Sequence, residues 1–297
     1  MTAVSIPDSG ATGATRPPRG RRTWRARVGT VVPHVILLAY VAVACAPIAL
    51  IVMNAFKSRQ AIFEEPFAFP TPATFDLSGF ETVFARADFE LYFLNSFIVT
   101  VSTVFLVLLL GSMLAFALAE YRFGGLTALA LYMAVGIMIP IRLGTVGILD
   151  LMVDLSLVNS LAGLVLVYTA MGLPLAVFVL TAFFKQVPDE LKDAARIDGA
   201  GEYRVYSIVL PLVRPGLAAI GVYTMLPIWN DLWFPLILTP AENVRTVTLG
   251  TQLFLGQFVT DWNAVLAVLS LAALPMLALF IIFSRQFVRG LTSGAIK

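Results

Sequence analysis

Long apolar runs alternate with polar connections along most of this chain. The runs at 31–53, 97–119, 126–141, 161–184, 217–238 and 265–283 contain few or no charged residues. A helix rises 1.5 Å per residue, so about 20 apolar residues cross the roughly 30 Å hydrocarbon core of a bilayer. The pattern predicts an all-α integral membrane protein with six transmembrane helices. The third run is short and relies on Arg142 reaching back to the polar boundary at its outer end.

Breaks within the runs mark the first candidate positions. Pro33 and Pro47 should bend the first span or mark its ends. Met171-Gly172-Leu173-Pro174 predicts a break in the fourth span, which a membrane tolerates where the backbone faces protein or a water-filled path. Tyr168, Thr169 and Met171 thereby become candidates for lining a path, against a proline kink that only shapes packing. In the fifth span Asn230-Asp231 lies between Trp229 and Trp233, about 21 Å from an inner end near Leu217. An ionisable residue at that depth is a candidate functional site. Solute contact, a helix–helix hydrogen bond and an outer gate all fit it.

One stretch, 188–216, is too polar for hydrocarbon. It holds Asp189, Glu190, Asp193, Asp198 and Glu202 together with Lys192, Arg196, Arg204 and Arg214, and Lys185 precedes it. Each charge at the bilayer centre costs about 2.5–3.5 kcal/mol on insertion scales, so the stretch belongs in water. Asp189 suits an N-cap, Glu190 the first turn, and Gly199 the left-handed residue that ends a helix. A second helix starts near Glu202, with Val205, Ile208 and Val209 forming an apolar stripe before Pro211 and Pro215 stop it. A helix–Gly–helix hairpin of this kind, with small Ala194 and Ala195 on one face, suits a groove on another protein.

Composition narrows the function. Of the 297 residues, 59% are hydrophobic and 13% charged, far from a soluble globular balance. One cysteine, Cys45, and one histidine, His34, exclude an internal disulfide framework and any multi-histidine metal centre. Six spans put both termini on one side. With the amino end inside, fifteen basic residues fall on inner segments and five on outer ones, so the rule that inner loops are positive places the 188–216 loop in the cytoplasm. Residues 1–30, with six arginines against Asp8, read as a disordered cytoplasmic arm, 31–283 as the membrane domain and 284–297 as a cytoplasmic tail. Two acids at i and i+4, Asp150 and Asp154, have the spacing of an acid–base pair or a cation site, but read first as solvated charges on an outer amphipathic helix. The outer segment 54–95 should carry short interfacial helices.

Asp193-Ala194-Ala195, then Gly199, then Ile208-Val209-Leu210-Pro211 resemble the Glu-Ala-Ala loop of permease subunits of binding-protein-dependent ABC importers. Ile197-Asp198-Gly199-Ala200 and Pro211-Leu212-Val213-Arg214-Pro215 are most similar to the maltose-type, carbohydrate branch. Trp229-Asn230-Asp231 with Phe234-Pro235-Leu236, and the tail from Arg285, are similar to the same family. The resemblance implies that the 188–216 loop is a coupling helix seated in an ATPase cleft, with Asp193, Ala194, Ala195, Asp198, Gly199, Leu210 and Pro211 making that contact. It implies tail contact with the ATPase through Gly290, Gly294 and Lys297. It implies a second permease subunit, an ATPase dimer that binds ATP and Mg, an extracytoplasmic solute-binding protein, and a sugar as cargo, all at a bacterial-type inner membrane. Asn230, Asp231, Tyr168 and Met171 are the candidate substrate path. Two departures stand out. The leading acid is Asp193 rather than Glu, and the Gly199-to-Pro211 spacing is one residue short, which would turn Tyr206 and Ser207 by about 100°.

The chain lacks a Gly-rich phosphate loop ending in Lys-Ser or Lys-Thr, a Gly-x-Ser-x-Gly turn and a zinc-binding helix. It should therefore hold no cofactor and be no enzyme, the energy coming from a partner. Nothing in it suggests nucleic-acid binding; membrane lipid is its surroundings. The rival readings are the same architecture importing an osmolyte, polyol or amino acid, a six-span membrane enzyme, and a passive channel.

Overall fold

The computed structural model describes the backbone of residues 24–86, 88–255 and 260–293, with side chains for all of these except 24–30, 279–280 and 282–293. Among the described residues the secondary structure is helical apart from one isolated antiparallel bridge between Lys57 and Phe75. The helices are α1 (Trp24–Asn54), α2 (Arg59–Glu64), α3 (Ser78–Arg86), α4 (Phe89–Glu120), α5 (Leu126–Met138), α6 (Thr145–Asp154), α7 (Leu161–Phe184), α8 (Asp189–Ile197), α9 (Glu202–Val209), α10 (Arg214–Trp229), α11 (Trp233–Leu238), α12 (Val247–Gly250) and α13 (Trp262–Ser293). By packing, the chain divides into residues 1–50 and 51–297.

α1 is continuous from Trp24, so Pro33 and Pro47 lie inside it and mark neither end. Its apolar stretch is exposed from Val31 to Ala49, as befits a helix whose solvent is lipid.

In the second unit α4 and α7 form the most intimate pair, with α5 against α7, and α10 against α4, α7 and α13. Two glycines permit the approach of α4 to α7. A Cβ at Gly111 on α4 would lie 2.9 Å from the Ala176 Cβ, and one at Gly172 on α7 would lie 2.8 Å from Val107. Lipid tails are as apolar as leucine, so helix association in a membrane depends on such close van der Waals fit.

Among the described residues four helical stretches are long and apolar enough to cross a membrane: Val31–Asn54, α4, α7 and Glu202–Trp229. A fifth arises if α5 and the segment 141–154 are taken as one span bent by 91°. The apolar part of α13 that is described, Trp262–Ala278, is shorter. Three boundaries differ from those expected from the apolar runs. The third run ends its helix at Met138, because Ile139 precedes Pro140 and takes an extended conformation. The fourth is unbroken: Pro174 sits within α7 and removes one donor without stopping the ladder, its ring packed against Gly136 of α5. The fifth stops at Trp229 rather than Leu238, and α11 starts after a three-residue break at 230–232.

The segment between α1 and α4 carries α2 and α3, as expected for short helices there. The Lys57 ammonium, almost wholly buried, donates to the Glu65 carbonyl (2.9 Å), and the Asn263 amide at the start of α13 donates to the Lys57 carbonyl (2.8 Å). Asp150 and Asp154 are both exposed on α6.

Candidate functional site

The polar stretch folds as two helices, α8 and α9, around a glycine turn. Pro188 takes the N-cap position, and Asp189 falls one residue inside the helix, correcting the expectation that Asp189 caps it. A carboxylate in the first turn still meets the positive helix end, and this one pairs with Lys192 at 2.6 Å. Gly199 ends α8 with φ of +82°. The Gly199 amide bonds to the Arg196 carbonyl (3.0 Å) and the Ala200 amide to that of Ala195 (2.9 Å), the paired bonds of a left-handed glycine stop.

Val205 and Val209 of α9 are buried against the carboxyl ends of α4 and α7, in one cluster with Phe116 and Phe184. Ile208 is 43% exposed and does not belong to that stripe as expected. Tyr206 points inward despite the shortened spacing: its hydroxyl lies 2.7 Å from the Ser112 hydroxyl, and its ring meets Phe116 edge-on. Ser207 faces out. Pro211 and Pro215 do not stop the chain as expected. Each occupies an opening position of the next helical segment, where the missing N–H is not needed, so α9 runs through the turn 210–213 into α10.

The charges of the hairpin converge on Glu120, the last residue of α4. Its carboxylate, only 10% exposed, accepts from the Lys192 ammonium at 2.6 Å and from the Arg196 guanidinium at 2.7 Å. Arg196 also reaches Glu202 (3.0 Å) and, at 3.3 Å, Asp193. The Tyr121 hydroxyl donates to Glu202 at 2.6 Å. Hydrogen bonds from Arg196, then Tyr121, hold the Glu202 carboxyl below its ordinary 4.5. Burial, reinforced by Glu202, pushes the Tyr121 phenol up to about 12. Burial works against the Lys192 charge, but its bonds to Asp189 and Glu120 outweigh that and raise it above 10.5. The other side of the hairpin is open: Asp193, Ala194, Asp198, Gly199 and Pro211 are exposed, Ala195 and Leu210 half-buried, and Ile197 is 85% exposed.

The candidate path residues meet elsewhere. Tyr168 and Met171 of α7 and Asn230 and Asp231 beyond α10 line one cavity of about 460 Å³, together with Arg142 and Thr224. The Tyr168 hydroxyl donates to the Asp231 carboxylate at 2.7 Å. The same carboxylate accepts from the backbone amides of Trp233 (3.3 Å) and Phe234 (3.1 Å), drawing the chain out of α10 and into α11. Asp231 thus makes the helix–helix hydrogen bond that was one of its expected roles. Asn230 is exposed, its amide bonded to the Leu226 carbonyl. Arg142 does not merely reach outward: its guanidinium lies 5.6 Å from the Trp233 ring, at the cavity wall. Of the tail residues, Gly290 lies in α13, whereas Gly294 and Lys297 are outside the described residues.

The family model described as "Binding-protein-dependent transport system inner membrane component" matches residues 83–293. The chain belongs to this family. It is a permease component of an ABC transporter, not an enzyme. It is 31% identical over 269 residues to the diacetylchitobiose uptake system permease protein NgcG of Streptomyces coelicolor, covering 90% of this chain and 88% of the relative. It is 32% identical to the sn-glycerol-3-phosphate transport system permease protein UgpE of Salmonella typhi, covering 89% and 96%. The crystal structure of a bacterial ABC transporter involved in the import of the acidic polysaccharide alginate contains a chain of the same fold, with a TM-score of 0.75, 20% identity, and 92% and 100% coverage.

Sequence reasoning missed Glu120 and the burial of Lys192. A signal was present: Glu120 is an acid at the carboxyl end of a long apolar run, where the helix dipole disfavours it, so a cation had to be near.

Proposed function

We propose that this chain is one of two permease subunits of an ATP-driven sugar importer. It crosses the inner membrane six times with both termini in the cytoplasm, the bent α5–α6 pair and α13 supplying the two spans beyond the four long apolar stretches. The hairpin of α8 and α9 is the coupling element, and Asp193, Ala194, Ala195, Asp198, Gly199, Leu210 and Pro211 meet an ATPase dimer in which ATP and Mg are bound. Gly290, Gly294 and Lys297 extend that contact. A solute-binding protein delivers cargo from outside, and Tyr168, Met171, Asn230 and Asp231 border its path.

The observation that carries this reading is the polarity of the hairpin itself. One face is pinned to the bundle by ion pairs, while the face bearing Asp193, Ala194 and Ile197 has no cover within the described chain. Closure of the ATPase dimer would move that face, and a movement driven by nucleotide requires contacts that differ between the two states. Sugar is favoured as cargo by the name of the diacetylchitobiose relative, and a phosphorylated polyol is the second reading, favoured by the glycerol-3-phosphate relative and by Arg142 at the cavity.

The test is uptake by the complete importer in proteoliposomes with labelled chito-oligosaccharides, plant-type oligosaccharides and glycerol 3-phosphate. ATP-dependent accumulation of a sugar supports the reading, and accumulation of the phosphate ester alone selects the second. Gly199→Val should cut uptake per ATP at least about tenfold, because a β-branched residue cannot hold a φ of +82° without strain. Unaltered accumulation in that variant contradicts the lever.

A further inference from the structure

We infer that Glu120 is the joint through which the hairpin moves the transmembrane helices, a positioning residue that acts through Lys192 and Arg196. The inference rests on the hairpin meeting an ATPase.

The two helices of the hairpin are attached differently. α9 is rooted by apolar contact, with Val205 and Val209 inside the cluster around Phe116 and Phe184. α8 offers the bundle little apolar surface; Ala195 is its one residue packed against that cluster. What ties α8 to α4 is the pair Lys192 and Arg196, at i and i+4 on one helical face, both bound to one buried carboxylate. An acid at the carboxyl end of α4 opposes the helix dipole, and the two cations together offset that cost. Displacement of α8 therefore draws on Glu120, or leaves buried charge unpaired.

From Glu120 the displacement has a rigid continuation. α4 meets α7 across Gly111–Ala176 and Val107–Gly172, where the fit leaves no slack. α7 carries Tyr168 and Met171 into the cavity, and Tyr168 holds Asp231. Removal of the joint tests coupling along this line.

The experiment uses the complete importer in proteoliposomes. Cys45→Ser removes the native thiol, and Tyr223→Cys places a single thiol on an exposed position of the cavity wall. The readout is its rate of reaction with a membrane-impermeant maleimide, with and without ATP and vanadate. In the parent, nucleotide should change that rate at least about fivefold. Glu120→Gln should reduce the change to below about twofold while subunit co-purification and ATP hydrolysis stay within about twofold of the parent, and Glu120→Asp should restore most of it. Lys192→Met, which leaves Arg196 on Glu120, should give an intermediate response. A full nucleotide response in Glu120→Gln overturns the inference. So does a loss of response in proportion to lost ATPase binding, or failure of both variants to assemble, since either makes the cluster a matter of fold stability alone. A parent that itself shows no response to nucleotide overturns the functional reading of the hairpin, and this inference with it.

Discussion

At the scale of single residues, the two polar centres differ in what they ask of their acids. Asp231 is held by Tyr168 and two backbone amides, so it shapes the cavity wall before it touches any solute. Tyr168→Phe should cost about 0.5–1.5 kcal/mol and Asp231→Ala about 1–3 kcal/mol, because the second leaves three donors without their acceptor. Thermal unfolding of the purified importer in detergent checks the order of the two. In the hairpin the acids are held for charge. Glu202 and Asp189 have carboxyls lowered from 4.5 and 3.8 by Arg196 and Lys192 respectively. A lowered folded value gives stabilisation that is complete above the ordinary value and is lost as pH falls through the folded one. Lys192 and Tyr121 are raised, so their share is complete below 10 and is lost on the alkaline side, for Tyr121 as pH climbs to about 12. The contributions of Glu202, Asp189, Lys192 and Tyr121 should thus be unaffected by pH from about 4.5 to about 10 and weaken below about 4.5. A spin label at Ile197 should show constant mobility across that window and a rise beneath it; a change near neutrality would contradict these assignments.

Among the elements, those set by composition were legible and those set by local competition were not. The 161–184 run matches α7 to the residue, and the glycine stop at Gly199 and the start of α9 at Glu202 follow from residue type. The end of α10 does not, because every residue from Trp229 to Leu238 except Asn230, Asp231 and Pro235 suits a membrane helix. What stops the ladder is the Asp231 carboxylate turning back onto the amides of α11, a contact that apolar counting cannot see. Pro174 misled in the other direction: a proline in an apolar run reads as a break, but packing against Gly136 keeps α7 whole. The seam of α4 and α7 gives a sharp prediction. Gly172→Leu inserts a side chain where even a Cβ meets Val107 at 2.8 Å, and overpacking of this kind costs about 1–3 kcal/mol. A lowered unfolding temperature together with reduced uptake is the expected result, whereas Gly147→Leu, where a Cβ meets nothing, should leave the unfolding temperature unchanged.

For the whole molecule, the family, the membrane class and the absence of a motor were all readable, because a charged island in an apolar chain has few other uses. The joint was not: Lys192 and Arg196 are charged residues in a charged loop, and only the fold brings them to Glu120, 72 and 76 residues away. The proposed coupling requires that the outward face of α8 dock on a separate nucleotide-hydrolysing subunit. Its most direct measurement is the reactivity of a single thiol at Ile197, in a Cys45→Ser background, towards an impermeant maleimide in oriented membranes. Labelling should be rapid from the cytoplasmic side in the permease pair alone and slowed about tenfold or more when the ATPase is bound. Labelling only from the outside, or at the same rate with and without the ATPase, would contradict it.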